Sequence, residues 1–354
     1  MSIAFIIPNH KITLIEVEGT YIEPYQVSEV QINPGQRVSI ILETDQVVDN
    51  YMMCAKSLGS KDSTCDSGLS ILHYKGAKDY KELQTTFYDK VYKAPPITRY
   101  EKDYSTSKWY LKRKLKHFYN VPKKVNKKIY FKVAEASDVN KAIYFTMDGK
   151  RVSKDNSTLW TEVVDRTYIP YQQNSQGIVD IREGDNVQIV IEHFAMRNNS
   201  TTCIIHPWHL HGHSYYVVGY GKDGFTANNQ KEIEENLRYN DKIPILRDTF
   251  VHYPDIVDQS QLQAKAFNLR LPHLRIGFSE RQNFNKVLPN INIQENPEQY
   301  VSCGWYAIRF IANNPGSWYM HCHITPHLLM GKYHIINELP KSYYINKHKQ
   351  KWKR

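Results

Sequence analysis

The chain has 354 residues, 41% of them apolar, with 46 Lys and Arg against 36 Asp and Glu for a net charge of +10. That length allows two domains with cores of their own, and no run reaches the roughly 18 apolar residues that a membrane helix needs. The basic excess sits in clusters, Lys108 to His117, Lys123 to Lys128 and the tail Lys347 to Arg354, with no nucleic-acid-binding motif beside them, so they read as solvated connectors and no nucleic-acid partner is expected.

The opening, Met1 to Pro8, has too short an apolar stretch and no basic flank for a signal peptide. From Phe5 to Asp45, β-branched runs (Ile12 to Val17, Val38 to Leu42) alternate with turn signals at Glu18-Gly19 and Asn33-Pro34-Gly35, a pattern that predicts antiparallel sheet. Residues 1–85 offer too few strands for a whole β-sandwich, so this first unit is expected to lack its opening strands. Residues 86–125, with Pro95-Pro96, mixed aromatics and the first basic clusters, read as an interdomain connection. Strand patterning resumes at Ile129 and continues through Ile143 to Phe145 and Ile178 to Asp180. The turn Glu183-Gly184-Asp185-Asn186 followed by Val187 to Ile191 predicts a hairpin leading into the loop that delivers His206. The second unit spans 126–340, and a basic tail, 341–354, closes the chain.

Five cysteines are present, and Cys322 stands apart from the other four, flanked by histidines. Cys54 and Cys65 bracket a polar loop, and Cys203 and Cys303 form the other available pair. Four cysteines allow three connectivities, which sequence does not choose between. Sequons at Asn156, Asn198 and Asn199 are compatible with secretion.

Seven of the fifteen histidines fall in two runs, His206-Pro207-Trp208-His209-Leu210-His211-Gly212-His213 and His321-Cys322-His323-Ile324-Thr325-Pro326-His327. In an extended strand alternate residues face opposite sides, so His321 and His323 point one way and Cys322 the other. One strand then serves two metal sites. A lone HxH means little, but two such units, a Cys inside one and a further His four residues on, mark a metal centre. A thiolate with two imidazoles in trigonal array and a weak axial position suits blue copper; Cys322, His206 and His327 make up that set.

Both runs resemble the copper-binding motifs in the last domain of multicopper oxidases, nearest the ascorbate oxidase and laccase pattern. Ser214 to Phe225, Arg247-Asp248-Thr249 and Gly304 to Gly316 resemble the same domain, and Pro8 to Gln46 resembles the family's middle domain. The resemblance implies an all-β chain of tandem cupredoxin-like Greek-key β-sandwiches, the first one truncated and the N-terminal domain missing, with about fifty residues inserted at 251–303. It implies a type 1 copper at His206, Cys322 and His327, a type 2 copper at His209 and type 3 coppers at His211, His321 and His323, with His327 and Cys322 catalytic. The axial position falls on Lys332, where an ammonium opposes Cu(II) and is expected to turn outward or lose its proton. His213 and His334 match no ligand position and read as supporting or surface residues, while His193 is one of several scattered singly. The family's cluster takes eight histidines from four HxH units, of which two units are found here. The implied function is a secreted, copper-dependent oxidoreductase that oxidises phenolic, ascorbate-like or metal-ion reductants and reduces dioxygen to water, present as a partial chain. The alternative is a copper-binding, one-electron transfer module without oxygen reduction.

Overall fold

A computed structural model describes residues 3–57, 68–79, 121–137, 143–147, 150–151, 177–196, 203, 205–221, 224–239, 244–252 and 300–342. The first part of the chain contributes β1 (Ile3–Ile6), β2 (Ile12–Val17), β3 (Thr20–Val27), β4 (Val30–Ile32), β5 (Val38–Leu42), β6 (Asn50–Ser57) and β7 (Gly68–His73). They form two sheets, ordered β4-β1-β6-β7 and β3-β2-β5. The antiparallel expectation for Phe5 to Asp45 holds: β2 pairs antiparallel with both β3 and β5. Ile12 and Leu14 face inward at alternate positions, and a bulge between Leu14 and Glu16 resets the alternation so that Val17, and not Glu16, enters the core.

The second part supplies β8 (Lys127–Ser137), β9 (Ile143–Met147), β10 (Lys150–Arg151), β11 (Ile178–Arg182), β12 (Asn186–Met196), β13 (His206–Leu210) and β14 (Tyr215–Gly221). After the helix α1 (Ala227–Tyr239) come β15 (Leu246–Arg247), β16 (Thr249–His252), β17 (Tyr300–Ile311), β18 (Gly316–Cys322), a short helix α2 (Thr325–Leu329) and β19 (Tyr333–Leu339). One sheet is ordered β10-β9-β8-β12-β17-β14-β15 and faces another ordered β11-β19-β18-β13-β16. Between them lies a core that includes Phe131, Ile189, Trp208, Tyr306, Ile308, Met320 and Ile336. β12 is covered on both faces, although the one turned away from this core carries buried Gln188 and Glu192 beside Val190. Val187, Ile189 and Ile191 enter this core, while Val190 packs with Trp305 and Ala307 under Ile233 and Leu237 of α1.

The expected hairpin at Glu183 to Asn186 does not form. β11 pairs in parallel with β19, while β12 is held between β8 and β17. The turn therefore carries the chain from one sheet to the other, because the two longest strands beside β12 already take both of its edges. Gly184, at φ +93, donates its N–H to Ala312 O at 2.7 Å to make this crossover. Residues 80–120, which hold most of the expected connection and the first basic cluster, lie outside the described residues, as do 253–299 and the tail from 343. Val251 and His252 belong to β16, and Tyr300 to Cys303 open β17. Cys203 and Cys303 form a disulfide, and Cys54 is also disulfide-bonded.

The two parts are joined through buried contacts. Ile245 packs into the core of the first pair of sheets. Glu18 receives Arg247 in an ion pair of 2.8 Å whose side chains are 0% and 1% exposed. Within the second part, Arg309, fully buried, donates to Gln188 Oε1 and to the carbonyls of Pro122 and Lys123, and meets Glu234 on α1. Arg309→Met removes the donor to the Pro122 and Lys123 carbonyls and leaves Gln188 Oε1 and Glu234 with Gln230 alone of their two donors. The expected loss is about 2–4 kcal/mol of unfolding free energy, read as a lower denaturant midpoint; an unchanged midpoint contradicts the anchoring role.

Candidate metal centre

Across the antiparallel ladder, Trp208 stands opposite Cys322, His209 opposite His321 and Leu210 opposite Met320. The pairing continues past both strand ends: His323 N–H donates to Pro207 O at 2.7 Å and His211 N–H to Tyr319 O at 2.8 Å. Residues directly opposite in such a ladder share a face. Trp208, Leu210, Met320 and Cys322 consequently all face the core and are essentially inaccessible. His209, His211, His321 and His323 face the other way together.

On the core side, His206, Cys322 and His327 bring one donor each within 4.8 Å of one another, the one such group among the described residues. Cys322 Sγ lies 3.8 Å from His206 Nδ1 and 3.5 Å from His327 Nδ1. Donors bonded to one ion at about 2.0–2.3 Å in trigonal array lie roughly 3.5–4 Å apart, so the set fits a single copper. β13 carries His206, the end of β18 carries Cys322, and α2 returns His327. The short helix starts with Pro326 in its first turn, and Lys332 N–H closes back on His327 O at 3.0 Å. Burial holds the imidazoles neutral with lone pairs available: His206 falls well below its ordinary value and His327 to about 3, each pushed further by the nearby Lys332 ammonium. Burial raises the Cys322 thiol, with Lys332 opposing.

Lys332 does not turn outward. It is fully buried, its Nζ 5.7 Å from the Trp208 ring centroid, where a protonated amine acts on His206, His327 and Cys322. The fixed crossover of β18 into β19 sends position 332 inward, since Lys332 O accepts the Cys322 N–H at 3.1 Å.

On the opposite face, the His209 ring centroid is 4.9 Å from His211, 5.7 Å from His321 and 5.6 Å from His323. His211 Nε2 and His321 Nε2 approach to 3.1 Å. His321 is buried, its pKa lowered to about 4 by desolvation, while His211 is exposed and the other two are half-buried, so this cluster opens to the surface. His209 Nδ1 donates to Asp248 O at 2.8 Å and His321 Nδ1 to Cys322 O at 3.0 Å, which leaves each Nε2 for a metal.

Two buried histidines escaped the sequence reading. His193 stacks on His206 at 4.7 Å and on His252 at 4.1 Å, and its Nε2 accepts the Trp208 indole N–H at 3.0 Å. His252 falls inside the segment read as inserted, and burial lowers it to about 3. The alternation of Val187, Ile189, Ile191 and His193 was the available signal for the first; none existed for the second. Neither His213 nor His334 is a surface residue: His213 pairs with Glu338 at 2.8 Å, and His334 stacks on Phe131 at 3.9 Å.

Two family profiles, each described as multicopper oxidase, match the chain, one over residues 1–77 and the other over 137–260 and 284–342. An L-ascorbate oxidase of Cucurbita maxima is 27% identical over 353 residues, covering 92% of this chain and 50% of that protein. Laccase-13 of Arabidopsis thaliana is 25% identical, covering 92% and 54%. The laccase structure from Botrytis aclada superposes with a TM-score of 0.57 at 20% identity, over 95% of this chain and 49% of that one, a likeness of fold. The chain thus spans about half the length of the curated relatives it matches.

The buried histidines carry a pH signature in the metal-free protein. His206, His252 and His327 stay neutral in the fold while their unfolded counterparts protonate below about 6.5. The unfolded state binds more protons there, so stability is full above about pH 6.5 and is lost as pH falls toward 3. The expected slope is on the order of 1 kcal/mol per pH unit for each imidazole. Denaturant titrations between pH 7 and 4.5 measure it; a flat profile contradicts neutral burial.

Proposed function

The chain belongs to the multicopper oxidase family, and from that membership we propose that it contributes the electron-accepting site and one side of the oxygen-reducing cluster of a copper-dependent oxidoreductase. The single observation that carries the proposal is the trio His206, Cys322 and His327 on one face of a strand pair whose other face gathers four imidazoles. In this reading His206, Cys322 and His327 hold a type 1 copper, His209 a type 2 copper, and His211, His321 and His323 type 3 coppers. Copper, when bound, supplies one-electron steps at the first site and the reduction of dioxygen to water at the second.

The protein's own part is placement. Half-buried His327, beside the exposed Leu329 of α2, is where a reductant of the phenolic, ascorbate-like or metal-ion kind approaches. The backbone from Cys322 to His321 and His323 spans the strand pair, so an electron accepted on the core side has a few covalent bonds to cross. His321 adds a direct link through its Nδ1 contact with Cys322 O. Neutral imidazoles and a sulfur in a dry setting favour a soft metal over protons. In the same reading the two pairs of sheets are two domains, and disulfide formation at Cys203 and Cys303 goes with an oxidising, extracellular setting. No described helix is long and apolar enough to cross a membrane. Family similarity extends over both pairs of sheets, which does not favour a free-standing one-electron module.

The full chain loaded with copper is expected to show an intense visible thiolate-to-copper absorption that disappears in Cys322→Ser; copper analysis finding none bound to the folded protein overturns the proposal. With Lys332 protonated, Lys332→Met removes a positive charge and supplies a weak sulfur donor, both favouring Cu(II), and the potential of the Cys322 site should fall by on the order of 100 mV, the equivalent of about 2 kcal/mol at an effective dielectric of about 20. With Lys332 a neutral amine on the metal, the softer Met raises the potential instead. Redox titration of the two proteins decides it, and an unchanged potential removes Lys332 from the surroundings of the metal.

A further inference from the structure

The ligand role of His209 depends on which of its nitrogens carries the proton, and the answer is held by a residue from the first pair of sheets. Asp248 O can only accept, so the 2.8 Å contact requires a proton on His209 Nδ1 and leaves the Nε2 lone pair directed at the histidine cluster. Thr249 Oγ1 lies 3.2 Å from the same Nδ1. The backbone of these two residues is pinned from behind. Glu18 Oε2 accepts the N–H groups of both Asp248 and Thr249, at 3.0 Å each, and the same carboxylate pairs with Arg247 at 2.8 Å.

Glu18 stands in the tight turn between β2 and β3 at φ +51, a left-handed conformation that glycine or asparagine adopts at less cost. A surface turn has no use for a glutamate there. Here the side chain leaves the turn inward, is 0% exposed, and makes all of these contacts with residues about 230 positions later. The neighbouring turn serves the same cluster. Gly35 O accepts from Thr249 Oγ1 at 3.3 Å, Arg37 donates to both Asp248 carboxylate oxygens, and a Cβ on Gly35 would come within 2.6 Å of the His323 ring.

We propose that Glu18 is a positioning residue for His209: by fixing the Asp248 and Thr249 amides it sets the carbonyl that holds the imidazole proton on Nδ1 and keeps Nε2 free for copper. The role of His209 as a ligand rests on the function proposed above, but its tautomer does not, and the two are separable by experiment. The full chain, metal-free and with 15N-labelled histidine, reports the protonated nitrogen of each ring by long-range 1H–15N correlation, with His209 assigned by its loss in His209→Gln. The expected result is an Nδ1–H tautomer for His209 in the unmodified protein and a shift to a mixed tautomer in Glu18→Ala, which removes the acceptor of both amides. Cu(II) affinity of the histidine cluster, followed by paramagnetic resonance, should fall at least about tenfold in that variant while the visible band of the Cys322 site is unchanged. An Nε2–H tautomer in the unmodified protein overturns the proposal, and so does a folded Glu18→Ala that leaves the tautomer as it was. A changed tautomer with unchanged Cu(II) affinity supports positioning by Glu18 and counts instead against His209 as a ligand. Should Glu18→Ala fail to fold, Glu18→Asp, which keeps the charge for Arg247 but withdraws by one carbon from the two amides, takes its place with the same two outcomes.

Discussion

Trp208 faces Cys322 and His209 faces His321 across the β13 and β18 ladder, and from that register both histidine sites follow. Side chains alternate along each strand, so a slip of one residue would turn every imidazole of one strand to the other side. With the observed pairing, Cys322 shares the core face with the Trp208 side of β13, where His206 also contributes, while the four imidazoles of the two HxH units share the outer face. Apolar neighbours enforce it. Leu210 and Met320 are buried on the core side, and displacing them into solvent would cost about 1.5–3 kcal/mol each. The same hydrophobic alternation that holds the sandwich together therefore aligns the donors.

Burial does the chemical preparation. Desolvation penalises the imidazolium form, so His206, His321 and His327 remain neutral at pH values where free histidine begins to charge. The exception to an all-neutral surrounding is Lys332, carried into the core by its place just before β19. Around it the stack of His206, His193 and His252 and the indole of Trp208 form a wall of rings. A protonated Lys332 in that position would resist further positive charge, protons and oxidised metal alike.

The outer cluster depends on more than its own strands. Glu18, Gly35 and Arg37, all on turns or strand ends of the first pair of sheets, reach the segment that holds His209 and the ring of His323. The ion pair of Glu18 with Arg247 is buried, so loss of either member would leave an uncompensated charge inside the joint between the two parts of the chain. Ile245 adds an apolar plug to the same joint. Among the described residues, the first pair of sheets thus acts on the cluster without supplying a donor to it.

Strand alternation and the residue types within each histidine run were legible in the sequence, because alternation is a local property of an extended backbone. The antiparallel sheet of β2, β3 and β5 was legible for the same reason: its turns at Glu18-Gly19 and Asn33-Pro34-Gly35 are local signals. Partner choice was not. The chain from Glu183 to Ile191 looked like a hairpin, yet its two strands lie in different sheets, since pairing depends on which distant edges are already taken. His193 and His252 looked isolated for the same reason, Lys332 was open between turning outward and losing its proton, and Glu18 looked like an ordinary turn residue. Which side chains share a strand face is a local matter that the residues spell out; which faces meet is settled in the folded chain, because long-range pairing is set by the competition of all strands for the same core.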